Sequence, residues 1–441
     1  MNSFWIVTVA ASVGSPIGPG AAQSGPPEPR WTEVSAGDVE MCALDAEGRA
    51  ACWGPSVPAG IWIAGGLRLA SIAVGIGLPC EPQRNRCTEQ TSNHVCALSV
   101  DARAWCWGDN RFGQLGDGTT TDRPDPVAVD TSMRFRSIRA GRGFTCGIAN
   151  AAAWCWGFNG LGNLGIGDTT ADAHPRPRLV SRRALAVEAA AGFACALSND
   201  GLAWCWGADY HGRLGSDAAA ATGATPAPVP VNGVSRFTAL SARGNYVCGL
   251  TRSGNAWCWG SNVDGQLGSD PADVRARRDP GDSGAPLLAH ITTSITGHTC
   301  GIAPDYRAWC WGRNASGELG TVDPAMTICF AHPCAPRPSP VGGGQRFRSL
   351  SAGSSFTCGV TDAGQLVCWG RLPWSATVST SPIRMTAPVP PRAGHDAPGP
   401  HGQRSDDAAF KRTTAANVAV DSHLRVIGDV LADPHQVRFD L

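Results

Sequence analysis

Lysine is almost missing from this chain. Lys411 is the single lysine among 36 basic residues, a bias that a GC-rich coding sequence explains without any functional reading. Excess charge of either sign is missing too: 36 basic residues meet 36 acidic ones, and only 16% of the 441 residues are charged. That balance excludes the basic footprint of a nucleic-acid or anionic-membrane binder. No apolar run is long enough to cross a bilayer as a helix. Phosphate-binding glycine loops, paired-carboxylate sites and Cys/His dyads are absent as motifs, so no cofactor is expected. What the chain does have is 55 glycines, 33 prolines and 18 cysteines. Glycine and proline at this level suit many short strands joined by tight turns.

The cysteines recur with a fixed partner. Seven times a cysteine is followed, after eight or nine intervening residues, by Cys-Trp-Gly: Cys42 to Cys52, Cys96 to Cys106, Cys146 to Cys155, Cys195 to Cys205, Cys248 to Cys258, Cys300 to Cys310 and Cys358 to Cys368. Cys80 with Cys87, and Cys329 with Cys334, complete an even count. Even numbers at regular spacing imply a disulfide framework and an oxidising compartment. Zinc would need paired knuckles at two-to-four-residue gaps, and only Cys329 and Cys334 come near that, with no second knuckle. No metal site is expected. Residues 1–30 read as a secretory signal and Gly/Pro-rich leader. Phe4 to Ala11 is apolar and small residues follow, although no basic residue precedes Arg30. The expected location is therefore secreted or cell surface.

The tryptophans of the seven units recur every 49 to 58 residues, the mark of a copied supersecondary unit. Seven is a common blade number for a closed ring of sheets. In the third unit, Phe135 to Gly141 alternates as a first strand, Phe144 to Ile148 forms a second, and Ala153 to Trp156 a third after a turn at Asn150. The two cysteines then face each other across a hairpin, and in the second unit Ala97 falls opposite Trp105. Five units carry Trp-Cys-Trp, whose alternation sends both indoles to one face and the cysteine to the other. A glycine turn follows, as in Gly113-Gln114-Leu115-Gly116 and Gly212-Arg213-Leu214-Gly215. Then comes a proline-containing stretch fit for an outer strand. The predicted fold is all-β: a seven-bladed β-propeller of four-stranded antiparallel blades, disulfide-stapled, over residues 31–386. Residues 387–441 read as a disordered tail.

Ser198-Asn199-Asp200-Gly201 before Trp206-Gly207, and Trp107-Gly108-Asp109-Asn110 running into Gly113-Gln114-Leu115-Gly116, resemble the RCC1 (regulator of chromosome condensation) repeat family. The resemblance covers about four-fifths of the chain. It fails at the first and last units, which lack Gly-x-Leu-Gly. It implies a propeller, and the cysteine pairs resemble the secreted bacterial branch of the family. Nucleotide exchange on a small GTPase, the activity of the nuclear founding member, is the first alternative function; a propeller hydrolase or lyase is the second.

Candidate chemistry is thin. His94 and His298 occupy a slot held elsewhere by Phe144, Phe193, Tyr246 and Phe356, so they read as packing residues. Gly281-Asp282-Ser283-Gly284 mimics a serine-protease segment but has no companion His and Asp motif. Ser99-Val100-Asp101 reads as a hairpin turn. Irregular segments are the better candidates. Residues 76–93 are expected to lengthen a first-to-second strand link, and residues 269–286 and 321–345 to lengthen fourth-to-first links on the opposite rim. The expected function is a monomeric, non-enzymatic binding scaffold presenting loops to a protein or surface glycan, with no nucleic-acid partner.

Overall fold

The structure, a computed structural model, describes residues 28–63, 66–77, 93–181, 183–219, 223–233, 236–272, 276–321, 326–330, 332–376 and 378–388. Residues 1–27 of the expected leader, 389–441 of the expected tail, and the Cys80–Cys87 pair lie outside the described residues. Among the described residues, no helix is long and apolar enough to cross a membrane.

Alternation and turn chemistry build seven antiparallel sheets, each from consecutive strands. The third shows the rule, with Phe135–Ala140, Phe144–Ala149, Ala152–Gly157 and His174–Ser181 laid side by side in chain order. The innermost strands of the other blades are Trp31–Ala36, Leu69–Val74, Ala186–Ala189, Phe237–Ala242, His290–Thr293 and Phe347–Ala352. Among the described residues, blade six alone carries a fifth strand, Thr327–Cys329, outside its fourth strand His332–Pro340. The chain thus forms the seven-bladed propeller expected.

Each repeat pair of cysteines sits directly opposite across the second and third strands, for example Cys146 with Cys155. All seven pairs are bonded, with Cα atoms 4.0 to 4.1 Å apart, and Cys329–Cys334 makes an eighth disulfide. Ala97 does face Trp105. Prolines mark the outermost strands, as at Pro124, Pro126, Pro175, Pro177, Pro226 and Pro228. An edge position tolerates the missing N–H and deters pairing with another chain.

The glycine turn is the seam between blades. Its first glycine leaves no room for a side chain: a Cβ on Gly113 or Gly162 would lie 2.6 or 2.8 Å from Pro175 or Pro226 of the next blade's outer strand. Its second glycine has positive φ, and a Cβ on Gly116, Gly165 or Gly215 would meet the indole nitrogen of the next blade's buried tryptophan at 2.6 to 2.7 Å. That indole donates to the carbonyl between the glycines: Trp156 to Gln114, Trp206 to Asn163, Trp259 to Arg213, Trp311 to Gln266 and Trp369 to Glu318, at 2.9 to 3.1 Å.

Two expected connections are corrected. Ala276–Asp282 is the fourth strand of blade five, paired to Ala256–Ser261, and His332–Pro340 is the fourth strand of blade six, paired to Ala308–Arg313. The lengthened segments therefore join third to fourth strands, not fourth to first. In an antiparallel blade those links leave from the same end as the first-to-second link. The described strand ends that flank these segments thus lie at one rim instead of two. Proline and charge in Ala276–Asp282 hid a strand whose edge position needs neither alternation nor a full set of N–H groups.

Candidate functional site

The rim that carries these segments surrounds the mouth of a central channel. Side chains pointing inward from the innermost strands enclose a cavity of about 280 Å³. Register against the cysteines aligns one layer across all blades: Ser35, Ala73, Arg139, Glu188, Ser241, Thr292 and Ser351. Most of these are small, and the hydroxyls join neighbouring blades. Ser35 accepts from the Val74 amide, Ser241 from Thr293, Thr292 from Ala352 and Ser351 from Ala36, at 2.9 to 3.2 Å. Between blades three and four, Arg139 and Glu188 replace the hydroxyl link with a 3.0 Å ion pair.

Charge in the channel is unevenly placed. Glu33, one layer below, accepts from the Ile72 amide, and burial raises its pKa against the opposing pull of that bond and of Arg139. His290 shares its layer, and burial, aided by Arg139, lowers it to about 4, so it is neutral at ordinary pH. Arg243 stands one layer above, lowered to about 10 by burial and still charged. At the mouth, the loops after the innermost strands bond from blade to blade. Arg142 donates its amide to Ala190, Ala191 to Arg243 and Gly244 to Ser294, at 2.9 to 3.2 Å.

On the same rim, blade six extends a short hairpin, Thr327–Cys329 against His332–Pro340, fastened by Cys329–Cys334. Its tip displays Ile328, 67% exposed, and Phe330, 84% exposed, the latter held at φ +50°. A large apolar side chain this exposed at a tied turn is a contact residue more than a core residue. Composition alone does not reveal it, because a phenylalanine between two cysteines reads equally well as core.

His94 and His298 are buried, and burial lowers each to about 3. Their Nε2 atoms meet the hydroxyls of Thr145 and Thr357 of the next blade at 2.8 and 3.0 Å. Those threonines donate onward to the Gln114 and Glu318 carbonyls. Tyr246 is paired at the same position, its hydroxyl 3.0 Å from that of Thr299 and donating to the His298 carbonyl. Where the slot is Phe144, Phe193 or Phe356, the partner position is apolar: Ala194, Val247 or Met41, packed in the same clusters. The packing reading of the slot is therefore refined into a matched pair across six of the seven seams. The sequence signal was present in the residue before each first cysteine, compared one repeat ahead.

Ser283 is fully buried beside its strand and its hydroxyl accepts from the Ala285 amide, so no nucleophile is presented there. Asp282 ends the fourth strand of blade five, which corrects the placement of this segment in an inter-blade link. The Ser99–Asp101 segment is a hairpin turn, with Ala102 at φ +64°.

Models of the regulator of chromosome condensation (RCC1) repeat match residues 101–148, 238–266 and 347–371. The chain is 25% identical over 144 residues to the mitochondrial RCC1 domain-containing protein RUG3 of Arabidopsis thaliana, covering 31% of each. It is 23% identical over 380 residues to the human E3 ubiquitin-protein ligase HERC2, covering 82% of this chain and 6% of the ligase. It thus spans under a third of the first of these relatives and a small part of the second. Among solved structures, yeast RCC1 (Prp20) bound to Kap60 superposes with a TM-score of 0.60 at 20% identity, covering 73% of this chain and 75% of that one. Human WBSCR16 gives 0.62 at 17% identity, covering 75% and 85%. At these identities the likeness is one of fold.

Proposed function

We propose that the chain is a non-enzymatic binding propeller of an oxidising compartment outside the cytoplasm, gripping a protein partner on the rim around its channel mouth. One observation carries the proposal: the tied hairpin that holds Ile328 and Phe330 out from that rim. A short hairpin held by a disulfide loses little conformational freedom on binding, so burial of its two apolar side chains converts efficiently into affinity. Sixteen cysteines paired within the described residues support the compartment, since such bonds persist where thiols are oxidised. A protein is favoured over a glycan because the protruding groups are aliphatic as well as aromatic.

The test is a cross-linking capture from the secreted and surface proteins of the source, run with the native chain and with the Ile328→Ser/Phe330→Ser variant. The native chain should retain a protein that the variant releases, with both showing the same Tm. Equal capture by both, or retention of a polysaccharide alone, would refute the reading. Alkylation before reduction should mark none of the sixteen paired cysteines.

A further inference from the structure

The upper half of the channel is built almost entirely of donors. Arg243 lines it and makes one long hydrogen bond, 3.4 Å, to the Val74 carbonyl, with no carboxylate within ion-pair distance among the described residues. Arg139 lines it too, with a side chain 44% exposed. Ser35, Thr292 and Ser351 each accept from a neighbouring amide and keep the hydroxyl proton to give. Glu188 is the lone carboxylate of this layer and is committed to Arg139. Glu33 lines the cavity one layer below, and Asp38, whose charge also acts on Arg243, is bonded by Ser354. Beside the mouth, the buried Nε of Arg142 has no partner.

The positions equivalent to Arg243 are Gly37, Gly75, Gly141, Ala190, Ser294 and Gly353 in the other six blades. Arg243 is therefore the single long side chain of its layer, and it lines the cavity. We propose that this upper channel binds one small oxyanion, a carboxylate or a phosphate, held between Arg243 and Arg139 and finished by the hydroxyls of Ser35, Thr292 and Ser351. Burial already disfavours the charge on Arg243 and Arg139 adds repulsion, so an anion would relieve Arg243, whereas the charge on Arg139 is already held by Glu188. The mouth opens on the binding rim, so the oxyanion is either free or the side chain of an acidic residue; the recognising chemistry is the same.

The test is calorimetric titration of the full chain with inorganic phosphate and, separately, with N-acetylglutamate, at constant ionic strength. Arg243→Ser is the informative variant, because the equivalent positions hold glycine, alanine or serine in other blades and the fold should survive, as an unchanged Tm would confirm. Binding of either anion, weakened at least about tenfold in Arg243→Ser and unchanged in the exposed control Arg176→Ser, supports the site. A response to N-acetylglutamate alone assigns it to acidic side chains, and a response to phosphate alone to free ions. No heat with either anion, or equal affinity in Arg243→Ser, overturns the proposal. Because the readout uses free anions, it fails or succeeds independently of the protein partner on the rim.

Discussion

His298 and Thr357 show how much one pair can decide. Replacing Thr357 by valine strands a buried imidazole nitrogen, at a cost of about 1–3 kcal/mol. His298→Phe alone costs less, because Thr357 keeps its bond to the Glu318 carbonyl. The double variant His298→Phe/Thr357→Val should recover most of the loss, since blade four to blade five already uses Phe193 against Val247. Chemical denaturation of the four proteins measures the coupling, and additive losses would break the matched-pair argument. The same histidines set a pH dependence. Both are neutral in the fold, with pKa about 3, whereas an unfolded histidine titrates near 6.5. Below about 6.5 the unfolded chain therefore binds more protons, so stability is full above that pH and falls steadily towards about 3. The Tm of the double variant should fall less steeply over this window; an identical slope would mean that His298 plays no part.

Single strands and hairpins were unevenly legible. The cysteine register, the Ala97–Trp105 pairing and the proline-marked outer strands follow from period-two alternation repeated seven times, so each copy checks the others. The fourth strands of blades five and six broke that pattern. Ala276–Asp282 and His332–Pro340 lie at the sheet edge, where half the backbone groups face outward and proline and charge are tolerated. The channel was also hidden. Inward residues such as Arg139, Glu188 and Arg243 look like ordinary surface charge until the strands close around them. At this scale the disulfides are testable. Removing Cys146–Cys155 as a double alanine variant should cost roughly 2–3 kcal/mol and leave the hairpin in place, because Trp156 still bonds to Gln114. Loss of the native circular dichroism would show instead that the bond is needed to form the blade.

The ring as a whole is closed by packing, and its closing seam differs from the rest. No strand is exchanged: blade one is built from its own four consecutive strands, and so is blade seven. Blade seven has Leu372 and Trp374 where blades two to six place the glycine turn, and the Trp374 ring packs edge-on against Phe356 at 5.3 Å. Met41 fills the slot opposite, its sulfur 3.3 and 3.6 Å from the sulfurs of Cys358 and Cys368. The departures of the first and last repeats are thus mutual, each end shaped to the other. Backbone amides donate across this seam, Ala36 to the Ser351 hydroxyl and Trp31 to the Gly364 carbonyl, both at 2.9 Å. Unlike the other six seams, this one has no chain connection to limit separation. A cavity there should therefore open the ring locally before the molecule unfolds. Met41→Ala should cost about 2–5 kcal/mol, as should Leu164→Ala at an internal seam. Only Met41→Ala should speed native-state hydrogen exchange at Trp31 and Ala36 ahead of the amides of blade four, the signature of sub-global opening. If both variants exchange uniformly across the blades, the seven sheets unfold as one unit and the seam is no weaker than its neighbours.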